Sequence, residues 1–142
     1  LHGPLLLDSL TERVLVCDAD VVWLQQDSPL TFFTSEAESL LCTFDSDACP
    51  PIRSAVDLHR YDAFPPALLP GLQKPRPGAE TAVCHHSVLD TSVLRALFEE
   101  VAKAWPGQAF WAAFVAAARA CDGRASEYEL YHAFASSRFP LK

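Results

Sequence analysis

The chain has 142 residues, of which half are hydrophobic and a fifth are charged, so we expect one domain, residues 1–142, with a sizeable core. Its formal net charge of −7 argues against nucleic-acid binding, because a protein that binds phosphate backbones needs a basic surface. No apolar run approaches the roughly 20 residues of a membrane-spanning helix, so the sequence predicts no membrane span.

The first predicted elements are the end of a helix within residues 3–12 and a strand over residues 13–17. The leucines of the first segment have helical spacing, and the strand is a continuous apolar run of the kind buried on both faces of a sheet. A helix followed directly by a strand is typical of α/β folds. Because the chain begins inside this pattern, with Leu1 rather than Met, we expect earlier βα units to precede it.

Two carboxylates, Asp18 and Asp20, follow this strand, and a second apolar run follows them. In extended backbone, residues two apart point to the same face. Two carboxylates on one face repel each other, and a hard divalent cation such as Mg²⁺ or Mn²⁺ would relieve that repulsion. Ligands of open α/β sheets gather at the carboxyl ends of strands. The pair therefore predicts a ligand or metal site at this point of the chain.

A second strand and a long loop come next. Residues 39–44 form an apolar strand, and Asp45-Ser46-Asp47 after it is interpreted as a polar turn, with a helper role in the Asp18 site as the alternative. Residues 48–80 contain most of the eleven prolines, which predicts a long loop with a short helical piece at 63–69.

A third strand is predicted over residues 80–90, and it contains the adjacent pair His85 and His86. Neighbouring residues of a strand point to opposite faces, so at most one of the two can point into a shared site. Imidazole binds Mn²⁺-like ions and donates hydrogen bonds to phosphate or sugar, while a structural role is equally open.

Two helices follow this strand. The first is predicted over residues 92–105 and begins at Asp90 or Thr91, and the second runs over 108–121 and is ended by Gly123. Phe110 and Trp111 of the second helix are predicted to pack in the core.

The last predicted helix begins at Ser126, which forms a capping box with Glu129. The capping box does not account for Glu127. A glutamate in the first turn of a helix is stabilised as an anion by the helix dipole, and the ionised form is what a general base needs.

Taken together, three of these segments resemble the motifs of one family. The run Leu15-Val16-Cys17-Asp18-Ala19-Asp20 resembles the Asp-X-Asp motif of GT-A-type glycosyltransferases, the nucleotide-diphospho-sugar transferase superfamily. His85-His86 and the run from Ser126 to Tyr131 (SEYELY) are similar to the other two signatures of a poorly characterised glycosyltransferase family associated with polysaccharide or capsule-type biosynthesis. The resemblance covers almost the whole chain.

This resemblance implies an α/β, GT-A-like (Rossmann-like) mixed sheet flanked by helices and lacking its N-terminal βα units. It implies that Asp18 and Asp20 hold Mn²⁺ or Mg²⁺ against the diphosphate of a UDP- or GDP-sugar, and that His85 or His86 completes the metal or donor site. Glu127, with Glu129 as the second choice, would take the proton from the hydroxyl of a glycan or other acceptor.

Two alternatives remain open from the residues. Haloacid-dehalogenase-type phosphatases also begin with an apolar run followed by Asp-X-Asp, but they need a later lysine and a further acidic pair. Lys74 lies in the long loop and Lys103 on a helix, and no adjacent acidic pair follows residue 100. The other alternative is a degenerate GT-A-like module that binds a carbohydrate or a partner without turnover.

Overall fold

The computed structural model describes residues 7–19, 33–35, 38–39, 44–45, 59–84 and 86–139. Its strands are β1 (Arg13–Cys17), β2 (Phe33–Ser35), β3 (Glu38–Ser39), β4 (Phe44–Asp45), β5 (Glu80–Thr81) and β6 (His86–Asp90). Its helices are α1 (Phe64–Leu68), α2 (Thr91–Ala104), α3 (Phe110–Ala120) and α4 (Glu127–Arg138). The described residues therefore form a mixed α/β structure, which confirms the α/β part of the predicted fold class, while its GT-A-like sheet stays a prediction.

The strands form antiparallel pairs: among the described residues β1 pairs with β6, β2 with β3 and β4 with β5. The longest pair runs from Arg13 opposite Asp90 to Cys17 opposite His86. The prediction that β1 is buried on both faces is wrong, because Leu15 is 43% exposed and Cys17 is also exposed. Val88 of β6 lies opposite Leu15 and is buried. The face of the strand pair that carries Leu15 and Val88 is therefore covered at β6 and exposed at β1.

The helical layer is organised around α4, in which eight consecutive residues from Tyr128 to Ala135 are buried. A helix buried on every side must find a partner for each polar group that it carries. The buried hydrophobic cluster takes side chains from every helix of the described residues: Phe64, Leu68, Leu69, Leu72, Val93, Leu97, Val101, Ala113, Ala117, Leu130, Tyr131, Ala133, Phe134 and Ala135.

The three long helices lie where the sequence predicts them. Asp90 caps α2 by accepting a hydrogen bond from the amide of Ser92 at 2.8 Å. Gly123 ends α3 in the left-handed region, with φ of 77°, and its amide donates to the carbonyl of Ala118 at 2.8 Å. The prediction of core packing is wrong for Trp111, which is 66% exposed on the outer side of α3.

The weaker predictions hold in part. The short helix predicted at 63–69 is α1, and the strand predicted at 80–90 is divided into β5 and β6 by residues 82–84. A strand was predicted over residues 39–44. Ser39 belongs to β3 and Phe44 to β4, and residues 40–43 lie outside the described residues.

The longest helix of the described residues is α2, with 14 residues. A span needs about 20 apolar residues. No helix in the part of the chain that the structure describes is long and apolar enough to cross a membrane.

Candidate functional site

The first side-chain contact of the candidate site joins the end of β1 to the start of α4. The hydroxyl of Tyr128 donates a hydrogen bond to Oδ1 of Asp18 at 3.0 Å, across 110 positions of the chain. Burial raises the pKa of the Tyr128 phenol to about 12, and the hydrogen bond to the Asp18 carboxylate adds to the shift. The phenol therefore stays protonated at neutral pH and acts toward Asp18 as a donor. Asp18 itself is half-buried.

The histidine segment lies beside the same strand. His86 is directly opposite Cys17 in the antiparallel register, so their side chains share one face of the strand pair. Asp18 is the next residue after Cys17, and successive residues along extended backbone alternate between faces. The geometry therefore places the half-buried His86 on the opposite face from Asp18. Asp20 and His85, the other predicted ligands, lie outside the described residues.

Glu127, the first choice for a general base, is the first residue of α4. It is exposed, and it adjoins Tyr128 in the chain. Its negative charge is close enough to raise the pKa of Tyr128, after burial and the larger effect of Asp18. The structure therefore brings Glu127 to the same end of α4 as the Asp18 contact, with its carboxylate open to solvent.

Glu129, the second choice, has a different environment. The predicted capping box is confirmed in its first half, because Ser126 accepts a hydrogen bond from the Glu129 amide at 3.3 Å. Its second half is wrong. The Glu129 carboxylate is fully buried and accepts hydrogen bonds from Thr81 Oγ1 at 2.6 Å and from Lys74 Nζ at 3.2 Å. A carboxylate held in this way is not presented to an acceptor hydroxyl.

Lys74 is the centre of this arrangement. Its side chain is fully buried, and its ammonium also forms an ion pair with Oδ1 of Asp62 at 2.8 Å. We call Asp62, Lys74, Thr81 and Glu129 the buried ionic cluster. Charged groups removed from water need such pairing, because burial of an unpaired charge is strongly unfavourable. The cluster therefore fastens the loop before β5, and β5 itself, to the first turn of α4.

His132 lies one helical turn after Glu129 and is also buried. Burial lowers the pKa of its imidazole, while the negative charges of Glu80 and Glu129 oppose that shift. His132 is therefore neutral at neutral pH. Its Nδ1 atom, Oε1 of the buried Glu80 and Oε2 of Glu129 have no hydrogen-bond partner within the described part of the chain.

Tyr131 fixes the side of α4 that also carries Tyr128. Its hydroxyl accepts a hydrogen bond from the amide of Asp90 at 2.8 Å, at the junction of β6 and α2. Tyr128 and Tyr131 are three residues apart, so they lie on the same side of the helix and both contact the β1–β6 region. The two tyrosines of the SEYELY motif thus hold α4 against the ends of two paired strands.

A cavity of about 550 Å³ lies at the other end of α4, and Leu72, Phe134 and Arg138 are among its lining residues. Phe134 is six positions after Tyr128, which corresponds to about 9 Å along the helix axis. The cavity is open and is separate from the Asp18–Tyr128 contact, and the sequence motifs do not line it.

The metal-binding prediction depends on the donor groups at the end of β1. Carboxylate oxygen at the end of a strand suits Mg²⁺ and Mn²⁺, and Asp18 supplies it. Within the ranges that the structure describes, no group of three or more His, Cys, Asp and Glu side chains is arranged to hold a metal ion. Since Asp20 and His85 are not among those residues, Asp18 is the described member of the predicted donor set, and its chemistry fits.

Comparison of the chain with protein-family models, with curated proteins and with solved structures gives no match.

Sequence reasoning missed Lys74 and the ionic role of Glu129. The two residues are 55 positions apart, so no helical or strand spacing connects them. One signal was available. Lys74 stands in a loop that folds back between apolar segments, and Glu129 stands inside an eight-residue stretch that is otherwise aromatic, aliphatic or neutral apart from its histidine. An isolated buried cation and an isolated buried anion are each other's natural partners.

Proposed function

We propose that the chain is part of a GT-A-like glycosyltransferase domain that moves a sugar from a nucleotide-diphosphate donor to an acceptor hydroxyl, with Mn²⁺ or Mg²⁺ as cofactor. The observation that carries the proposal is the hydrogen bond between Tyr128 and Asp18. It joins two motifs of the resemblance that are far apart in sequence. The pairing of Cys17 with His86 places the third motif on the neighbouring strand.

In this proposal Asp18 and Asp20 hold the cation. Because His86 lies on the Cys17 face, we assign the imidazole ligand to His85 rather than His86. A bound divalent cation supplies Lewis acidity and neutralises the charge that develops on the leaving diphosphate.

Glu127 has the role of general base. Its exposed carboxylate at the first turn of α4 can accept the proton of an acceptor hydroxyl, and the helix dipole stabilises its ionised form. Glu129 is assigned to the buried ionic cluster instead, since its carboxylate is buried and paired. A direct proton transfer of this kind belongs to a reaction that inverts the configuration of the sugar.

The phosphatase alternative gains no support from the lysines. The ammonium of Lys74 is engaged by Asp62 and Glu129, and Lys103 pairs with Glu100 on the surface of α2. Neither lysine is placed by these contacts beside Asp18.

Titration of Mn²⁺ by calorimetry, with and without UDP, tests the metal–diphosphate part of the proposal. We expect UDP to strengthen Mn²⁺ binding to the 142-residue chain, and Asp18→Asn to abolish the effect. Asp8→Asn is the matched control, because Asp8 is an exposed aspartate paired with Arg95 at 2.6 Å. Equal Mn²⁺ affinity in the wild type and Asp18→Asn would contradict the proposal.

The two histidines provide a second comparison. His85→Ala should weaken Mn²⁺ binding, and His86→Ala should leave it unchanged. For turnover, Glu127→Gln should abolish sugar transfer from a UDP- or GDP-sugar and preserve Mn²⁺ binding. Glu99→Gln, at an exposed glutamate of α2, is the control. Retention of transfer by Glu127→Gln would exclude Glu127 as the base.

A further inference from the structure

We propose that Tyr128 is a positioning residue, whose hydroxyl holds the Asp18 carboxylate in the orientation that binds the divalent cation. The inference rests on the proposed function, since it concerns the same site. It adds a role for a residue that the resemblance leaves without one.

The position of Asp18 creates the need for such a restraint. Asp18 immediately follows Cys17, the last residue of β1, so it lies just beyond the paired part of the strand. A carboxylate at such a point can adopt several rotamers in the absence of a side-chain partner. The hydrogen bond from Tyr128, at 3.0 Å, restricts it.

Tyr128 is well suited to hold another group because it is itself held. Its ring is 8% exposed, and its helix is fastened on two sides. Tyr131 accepts the amide proton of Asp90, and Glu129 is bound by Lys74 and Thr81. The hydroxyl of Tyr128 is therefore a fixed donor, and the orientation that it imposes on Asp18 is fixed by the fold.

The charge of the donor matters as much as its position. A neutral donor leaves the negative charge of a carboxylate in place for a divalent cation. The phenol of Tyr128 is a neutral donor and uses part of the acceptor capacity of a carboxylate, which has about four lone-pair sites. Hydrogen bonds of this kind to ligating groups typically contribute about 10- to 100-fold to metal affinity.

The test compares Tyr128→Phe with Tyr131→Phe, two substitutions that each remove one hydroxyl from the same helix. We expect Tyr128→Phe to weaken Mn²⁺ binding in the presence of UDP by about 10-fold. Tyr131→Phe should lower the melting temperature and weaken Mn²⁺ binding less than Tyr128→Phe does, because its hydroxyl contacts the Asp90 amide and not Asp18.

A thermal double-mutant cycle of Tyr128→Phe with Asp18→Asn measures the contact without metal. Shifts of the melting temperature that do not add indicate that the two side chains interact in solution. Additive shifts would overturn the inference.

The outcomes separate the inference from the proposed function. If the wild type binds Mn²⁺ and Tyr128→Phe binds it equally well, the positioning role is overturned and the metal site stands. If the wild type binds no Mn²⁺ at millimolar concentration, the metal part of the proposed function is overturned, and the positioning role with it.

Discussion

Replacement of Lys74 by methionine should destabilise the fold severely. The substitution keeps the length of the side chain and removes its charge, so the change concerns the ion pairs and not the packing. In the wild type, the ammonium lies 3.2 Å from Oε1 of Glu129 and 2.8 Å from Oδ1 of Asp62. The side chains of Lys74 and Glu129 are fully buried, and that of Asp62 is 20% exposed.

The magnitude follows from the charge that is left behind. Removal of one partner of a buried ion pair costs about 3–5 kcal/mol, because the other charge stays buried without compensation. A domain of this size is stable by about 5–15 kcal/mol, so the loss is a large fraction of the total. It corresponds to a fall of about 9–20 °C in melting temperature, at about 3–4 °C per kcal/mol.

Urea denaturation followed by circular dichroism measures the effect, with two comparisons. Lys103→Met is the matched control: Lys103 also pairs with a glutamate, Glu100 at 2.8 Å, but its side chain is 69% exposed. We expect no measurable change there, because exposed ion pairs contribute little to stability. The double variant Lys74→Met/Glu129→Gln should recover most of the loss, because it removes both buried charges.

Two outcomes with these variants would contradict the role of the buried ion pair. If Lys74→Met were no less stable than Lys103→Met, the ion pair would not contribute to the fold. If the double variant were less stable than Lys74→Met, the uncompensated charge of Glu129 would not be the cause of the loss.

Three further predictions concern α4. The pKa of His132 in the folded protein lies below its ordinary value of 6.5, so the unfolded state binds a proton more readily. The contribution of His132 to the free energy of unfolding is therefore complete above pH 6.5. As the pH falls below 6.5, the free energy of unfolding decreases by at most about 1.4 kcal/mol per pH unit. His132→Gln should flatten this dependence between pH 7.5 and 5.5 in urea titrations, and an unchanged slope would exclude His132 as its source. Tyr131→Phe leaves the Asp90 amide without its acceptor and should cost about 1–3 kcal/mol by thermal unfolding, whereas a cost near zero would mean that water replaces the phenol. Ser126→Ala removes the N-cap and should cost about 1 kcal/mol, while Ser126→Asp should retain it; equal loss in both would argue against the capping bond.

Local patterns predicted the helices well. The apolar spacing of α2, the stop at Gly123 and the cap at Ser126 are all properties of neighbouring residues, and these elements lie where the sequence places them. The strand at Arg13–Cys17 was also predicted, because an apolar run of five residues is long enough for a strand and too short for a typical helix.

Which faces of those elements are buried was harder to predict from the sequence. Periodicity does not indicate how many layers cover a strand, so the exposed face of β1 at Leu15 was not predicted. An alanine-rich helix likewise gives a weak indication of its buried side, and Trp111 was assigned to the core although it faces outward.

The sequence predicted which residues belong to the candidate site, but not which of them contact each other. Asp18 and Glu127 were named from local chemistry, but the residue that connects them spatially is Tyr128, whose contact spans 110 positions. Glu129 was interpreted through its neighbour Ser126, and its true partners come from a distant loop. Long-range pairing of polar side chains has no periodic signature, and a single sequence offers no other route to it.

Because Tyr128 to Ala135 of α4 are all buried, the rotation of this helix about its axis determines which buried groups its side chains contact. Each residue turns an α-helix by about 100°. The tyrosines at 128 and 131 occupy one angular sector, and Glu129 with His132 occupies the next. One residue inserted between Ser126 and Tyr128 would therefore turn the tyrosines away from Asp18 and bring a phenol toward Lys74, while the length of the helix would hardly change. The same insertion after Ala135, where the exposed end of α4 begins, would leave both sectors in register.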